Sequence, residues 1–438
     1  MPVIAFSYVL LMPFMSALAP AEWTPLPLIL LIVLSPMLLV RSSRATLGFV
    51  VRHDWPFALM FCCGVAGIWF SSLPTGIKNL NYSLAVLVCY FFFFCIARRM
   101  ICDPTVRWEL LGRCCQWSLG LLSAAVITEF YLASFHGIFF ADVIHFAHKD
   151  LTVANLVTAD FKRPRAFAAE PGFTALAFEC LWPLTLLARR QRWWLHLMFV
   201  AAFLMLASAA AVACMGIALT IVWAAGSRDW RSAAKVLLLA IAVAVPLLAT
   251  EAGQEAAWAV FGRKIDVSTA VAFYDADDAR TLFDRLNSYD ISATLLMEHP
   301  LGVGWGSLGQ AFADQVSLPG IGQLNGSGLL SLYLDIAVAA GAAGLLLWLL
   351  FLGKRVQAVL ASQDARARLV AVALLSVALH HMFITEIQIP FLWFALALAD
   401  KFAMDSRRHA TRRKQTASSV QRSTSLADSA ARPSAGLG

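Results

Sequence analysis

Charge is what this chain has least of. Only 14% of its 438 residues are Asp, Glu, Lys or Arg, against about a quarter in ordinary soluble domains. With 60% hydrophobic residues, a water-soluble fold is excluded and the bilayer becomes the solvent. No C-x-x-C pair occurs among the nine cysteines, so neither a zinc site nor a disulfide framework is indicated. Cys62, Cys63, Cys89, Cys95, Cys180 and Cys214 lie in apolar runs, and Cys102, Cys114 and Cys115 sit beside arginines; all read as small buried hydrophobes. There is no repeat of about 20–50 residues. Nor is there a basic region ahead of Ala17-Leu18-Ala19, so that tripeptide is not expected to mark a cleaved leader.

What the chain has instead is apolar runs of about 17–25 residues, the length that crosses a ~30 Å hydrocarbon core. The expected spans are 3–19, 23–40, 55–72, 80–97, 115–135, 171–188, 194–207, 209–225, 236–250, 328–352, 369–385 and 389–403. This is an all-α polytopic integral membrane protein of about twelve transmembrane helices, one membrane domain over 1–403. The run 194–225 reads as two short spans or one long tilted helix, and two spans keep the basic loops alternating. Arg41, Arg44, Arg98, Arg99, Arg107, Arg113, Arg189, Arg190, Arg192, Arg228, Arg231, Lys354 and Arg355 then share a side with the tail arginines. By the positive-inside rule that side is the cytoplasm. The larger loops 136–170 and 251–327 fall outside. The tail 404–438 is rich in Ser, Ala, Arg and Thr without apolar periodicity and is expected to be disordered, its charge drawn to anionic headgroups rather than to nucleic acid.

Positive charge on the outer face needs its own reason. In the first outer loop Lys162-Arg163-Pro164-Arg165 precedes Glu170-Pro171-Gly172 at the start of a span. Proline in the first helical turn is a common opening, and the helix N-terminus it creates favours anions. Glu170 then either caps that helix or takes part in chemistry. Arg163 and Arg165 are better candidates for binding an anion than any cytoplasmic arginine.

The second outer loop carries Arg280 and Arg285, then a short helix over Ser288 to Glu298. Tyr289, Ala293, Leu296 and Met297 share one face of it, which His299-Pro300 ends. Gly302, Gly304 and Gly306 follow with Trp305 among them. Such glycines allow positive φ and close backbone approach. Trp305 offers a ring face to a sugar or an anchor at the lipid interface. Structural turn and ligand contact remain equal readings of this run.

Together these segments resemble the O-antigen polymerase and ligase family, which includes exopolysaccharide polymerases. The likeness rests on Arg163 seven residues before Glu170-Pro171, on Arg285 fifteen residues before Pro300-Leu301-Gly302-Val303-Gly304-Trp305-Gly306, and on Tyr333-Leu334 with Gly341 and Gly344 in the next span. It covers residues 160–350. Ala166 stands where many members have glycine. Ligases that resemble this pattern carry a histidine where this chain has Leu330, which favours polymerase over ligase.

The resemblance implies a multi-pass protein of the bacterial inner membrane whose periplasmic face joins undecaprenyl-diphosphate-linked oligosaccharide repeat units. It implies no cofactor and no metal, and it names a chain-length regulator and other polysaccharide assembly proteins as partners beside the membrane lipids. Arginine forks suit a diphosphate leaving group: Arg163 and Arg285 take that role, supported by Arg165 and Arg280. Glu170, Glu298 and His299 are the titratable groups available to orient or deprotonate the acceptor hydroxyl, with none singled out. Gly302, Gly304 and Trp305 are the remaining substrate contacts.

Other ionisable residues have plain explanations. His136, His145 and His148 lack the carboxylates of a metal site. Asp277-Asp278 reads as a solvated loop pair, and interfacial placement explains His380, His381 and Glu386, around the outer hairpin of the last two spans, as well as function does. Glu129, Glu179 and Asp335 lie inside spans, where acids face an interior or a cavity. They keep a lipid-linked oligosaccharide transporter in view, and a scaffold for polysaccharide assembly is a third reading.

Overall fold

A computed structural model describes residues 1–20, 24–40, 44–71, 76–144, 157–158, 161–162, 164–206, 208–226, 289, 291–307 and 331–408. The described chain is helical apart from one ladder of two-residue strands. Its helices are α1 (Pro2–Leu11), α2 (Leu26–Val40), α3 (Arg44–Phe70), α4 (Ile77–Ile101), α5 (Trp108–His136) and the single turn α6 (Phe140–Val143). After them come α7 (Pro171–Thr185), α8 (Trp193–Met205), α9 (Ala209–Gly226), α10 (291–298), α11 (Leu332–Leu360), α12 (Ala365–His380) and α13 (390–408). Strands β1 (Val157–Thr158) and β2 (Phe161–Lys162) pair antiparallel, Val157 opposite Lys162.

Among the described residues four helices, α4, α5, α9 and α11, are long and apolar enough to cross a membrane, and α1, Leu26–Leu38 of α2, and α8 are shorter apolar helices. The run 194–225 is broken into α8 and α9. The expected span 236–250 and the tail beyond 408 lie outside the described residues.

Three expectations are corrected. The first helix stops at Leu11 rather than reaching residue 19, since Pro13 cannot continue a helical ladder; the chain then turns so that Ser16 and Ala17 donate to the Phe167 carbonyl. Helix α13 runs on through 404–408, five residues expected in the tail, held by Lys401 and Arg408 on Asp405 at 3.3 and 3.5 Å. The third concerns Arg98 and Arg355, counted among the basic loops on the cytoplasmic side. Helix α3 starts early enough to carry Asp54 inside, and α11 ends late enough to carry Arg355.

These residues meet in the interior. Arg98 on α4 lies 2.8 Å from Asp54 and 3.0 Å from Asp400 on α13. Arg355 pairs with both aspartates as well. All four are nearly inaccessible, and two positive charges balance two negative ones, the condition under which buried ions are tolerated. Aromatic rings enclose them: Arg98 sits 4.4 Å and Arg355 4.9 Å from the Phe94 centroid, and Arg355 4.1 Å from Phe351. Phe57 stacks on Tyr90 at 4.0 Å, whose hydroxyl donates to Asp54. The π-helical stretch Cys89–Ile96 within α4 supplies Tyr90 and Phe94 to this cluster.

Helix α11 packs along α3 and is broken at Gly341, whose φ of 73° and ψ of 178° are not helical. A break would strand the Val338 and Ala339 carbonyls in a dry interior, where unpaired backbone is costly. The 300–307 segment answers this. Val303 N–H donates to Val338 O at 2.8 Å, Gly304 N–H to Ala339 O at 2.9 Å, and Trp305 N–H to Gly64 O on α3 at 3.2 Å. The glycines are needed for contact: Gly302 has φ +88°, and a Cβ there would lie 2.6 Å from Gly341 N, while one on Gly341 would meet Leu301 at 2.8 Å.

Candidate active site

The first arginine segment is fixed by a buried carboxylate. Glu129 on α5 accepts three backbone N–H groups, from Phe140 at 3.1 Å, Arg165 at 2.8 Å and Ala166. Carboxylates bind such clustered donors strongly. Ala166 takes φ +50°, a left-handed conformation that glycine adopts more cheaply. The β1–β2 hairpin on one side and this anchored turn on the other flank Arg163, which itself lies outside the described residues.

Arg165 was expected to contact substrate, but the structure buries it. Its guanidinium donates to Ala169 O at 3.2 Å, and its own carbonyl accepts from the Thr174 hydroxyl. Burial pulls its pKa down, opposed by Glu129 and Asp142. Glu170 stands at the N-cap of α7 without a side-chain capping bond, and its side chain is exposed.

The second segment shows its described half only; Arg280 and Arg285 lie outside it. Helix α10 matches the expected one, with Tyr289, Ala293 and Met297 exposed and Leu295 buried. Glu298 is exposed in its last turn, and His299 is half-buried, its carbonyl accepting from Gly302 N–H. The turn that follows faces the bundle. Trp305 is 1% exposed, donates from its indole to Phe61 O at 3.1 Å, and stacks between Phe61 and Tyr82. Asn79 on α4 holds the Trp305 carbonyl and Ser307. The N–H groups of Gly302 and Gly304, like that of Trp305, are occupied by protein carbonyls.

The two segments are joined by a chain of polar side chains. Tyr82, beneath Trp305, donates to Asp335 near the start of α11. Asp335 and Glu170 are both near enough to act electrostatically on Glu386, in the hairpin between α12 and α13. Half-buried Glu386 is pushed up to about 7, by burial first and then by the Glu170 and Asp335 carboxylates. The hairpin also seats α11: Leu332 N–H donates to His381 O and Ile384 O, both at 3.0 Å.

No family model matches this chain, and no curated protein matches it. The geometry therefore carries the functional argument. It brings together Glu170 and the hairpin, and ties the glycine turn to them through Tyr82 and Asp335. Tyr82 and Asn79 carry no signal in the sequence, and Glu386, a carboxylate in an otherwise apolar hairpin, reads there as interfacial. His380 and His381 read as interfacial too, whereas both are buried and His380 Nδ1 lies 2.9 Å from Glu179. Thus Glu129, Glu179 and Asp335 each hold protein partners. His145, His148, Asp277 and Asp278 lie outside the described residues, as do Asn325, Ser327 and Leu330.

Proposed function

We propose that the chain is a membrane glycosyltransferase that polymerises polyprenyl-diphosphate-linked oligosaccharide repeat units, as O-antigen and exopolysaccharide polymerases do. The supporting observation is that Glu170, beside the first arginine segment, and Asp335, bonded to the Tyr82 that stacks on Trp305 of the glycine turn, both act electrostatically on Glu386. In this reading about twelve spans sit in the bacterial inner membrane, and the acidic group faces the periplasm.

The reaction breaks the bond between the anomeric carbon and the diphosphate oxygen and forms a glycosidic bond to an acceptor hydroxyl of a second lipid-linked unit. The electron pair of the broken bond stays on the diphosphate, where Arg163 and Arg285 stabilise the charge that develops. The hydroxyl proton passes to a carboxylate. Glu386, raised to about 7, suits that task, because a general base works best with a pKa near the working pH. Glu170, at the mouth of α7, orients the acceptor. Neither a cofactor nor a metal is part of this scheme.

A transporter is the second reading, since interrupted helices such as α11 line substrate paths in transporters. Against it, the carbonyls freed at the break are bonded to the glycine turn. Purified protein supplied with a defined lipid-linked repeat unit separates the readings. A ladder of products supports the polymerase, a single transfer to another acceptor means a ligase, and no covalent product favours transport. Arg163→Ala and Arg285→Ala should leave single units on the carrier lipid; full-length polymer from either would remove the leaving-group assignment.

A further inference from the structure

A groove of about 840 Å³ opens between α1, α5 and α8. Its floor is apolar, from Leu10, Gly120, Leu121, Ala124 and Met198, and Arg113, Arg190 and Arg192 gather at one end. Trp117 and Trp194 stand beside that end, with Arg192 at 5.5 and 6.0 Å from their ring centroids. The side chain of Gln116 holds the Arg190 carbonyl at 3.0 Å, which fixes the loop bearing the arginines. Arg113 is 2.6 Å from Glu109, whereas Arg190 and Arg192 have no ion pair among the described residues. All three guanidiniums are exposed.

The groove has the dimensions of one lipid leaflet. From Arg113 to Ala124 is eleven residues of α5, about 16 Å at 1.5 Å per residue, and half of a ~30 Å hydrocarbon core is about 15 Å. Cations and indole rings gather at one end, with small or flexible apolar side chains along the rest. Basic pockets between transmembrane helices recognise anionic headgroups in this manner.

We infer that this groove seats one anionic phospholipid of the leaflet facing the arginine-rich loops, its phosphate between Arg190 and Arg192 and an acyl chain along Gly120 and Ala124. The site is separate from the acidic group, so the inference stands independently of the polymerase reading.

The test is native mass spectrometry of the delipidated full chain, titrated with phosphatidylglycerol and, separately, phosphatidylcholine. The first phosphatidylglycerol should bind roughly thirtyfold more tightly, about 1 kcal/mol for each of the two arginines at the headgroup. Arg190→Gln with Arg192→Gln should bring the two lipids to within about twofold. Both changes are on exposed side chains, and an unchanged elution volume on size exclusion verifies folding. Ala124→Trp, which fills the floor at an exposed position, should weaken both lipids alike. Equal affinity for the two lipids in the unaltered protein overturns the inference, as does a preference that survives the double substitution. If excess inorganic phosphate abolishes the preference while Ala124→Trp leaves lipid binding unchanged, the arginines hold a free anion and the lipid assignment fails.

Discussion

The two ends of α11 handle buried charge in opposite ways. At one end Arg355 closes a quartet with Arg98, Asp54 and Asp400 in which every charge faces two of the opposite sign. At the other, twenty residues or about 30 Å back along the helix, Asp335 shares its surroundings with Glu386 and Glu170. Balanced charge in a dry interior fixes the packing of four helices; crowded like charge raises proton affinity and is what acid–base chemistry uses. Removal of a charge should therefore cost stability at the first end and activity at the second.

The comparison is broken most directly at the quartet. Asp54→Ala leaves two buried guanidiniums sharing one carboxylate and should cost about 3–5 kcal/mol, read as a lowered Tm and poor recovery of folded protein. Removing Arg98 as well, in Asp54→Leu with Arg98→Met, should cost less than Asp54→Ala alone, because no ion is then stranded. If the single change is harmless, the quartet does not hold the bundle.

Next in size is the glycine turn. Gly302→Val places a side chain at φ +88° against Ala339 and Gly341 and should destabilise by about 2–5 kcal/mol, the sum of left-handed strain and overpacking. Thermal unfolding measures it.

At the acidic end the sign reverses. Glu386→Gln should lower the rate of chain elongation about 10²–10⁴-fold, the usual worth of a general base, while stability above pH 7 stays level or rises. The sign follows from proton binding. A Glu386 carboxyl held near 7 binds its proton more tightly in the folded state than in the unfolded one. Its stabilising contribution is full below the ordinary carboxylate pKa and is lost as pH rises towards 7. Elongation should run the other way, climbing as pH rises through about 7 and then levelling. A flat pH–rate profile in the unaltered protein would take Glu386 out of the chemistry.

How much of this could be read from the sequence depended on distance along the chain. The helices were legible because apolar runs set by bilayer thickness are local signals, and so were α10 and its stop at His299-Pro300. Glycines at 302, 304 and 306 announced a turn of positive φ, which their φ values of 88°, 92° and 80° match. What the turn touches was not legible. Val338 and Gly64 are far off in sequence, and nothing local shows that a break at Gly341 leaves carbonyls to be satisfied. Arg98 and Arg355 read as cytoplasmic loop residues because a charge at the end of a long apolar run looks like the start of the next loop. Glu386 reads as a lone interfacial carboxylate because its neighbours Glu170 and Asp335 come from two other helices.

The smallest expected effect concerns Ala166, which resemblance to a family with glycine there marked as a departure. The structure gives that position φ +50°, so the departure is a matter of strain rather than of a different path for the chain. Ala166→Gly relieves about 1–2 kcal/mol of left-handed strain but gives up the burial of one methyl, about 0.8 kcal/mol, and frees the unfolded backbone by up to about 1 kcal/mol. The net change in stability should fall within about 1 kcal/mol of zero, visible as little or no shift in Tm. Elongation should be unchanged, because Glu129 holds the backbone N–H of residue 166, and that donor is the same in glycine. A loss of elongation with Tm unmoved would show that the methyl itself sets the placement of Arg163, which would turn the family difference at this position into a functional one.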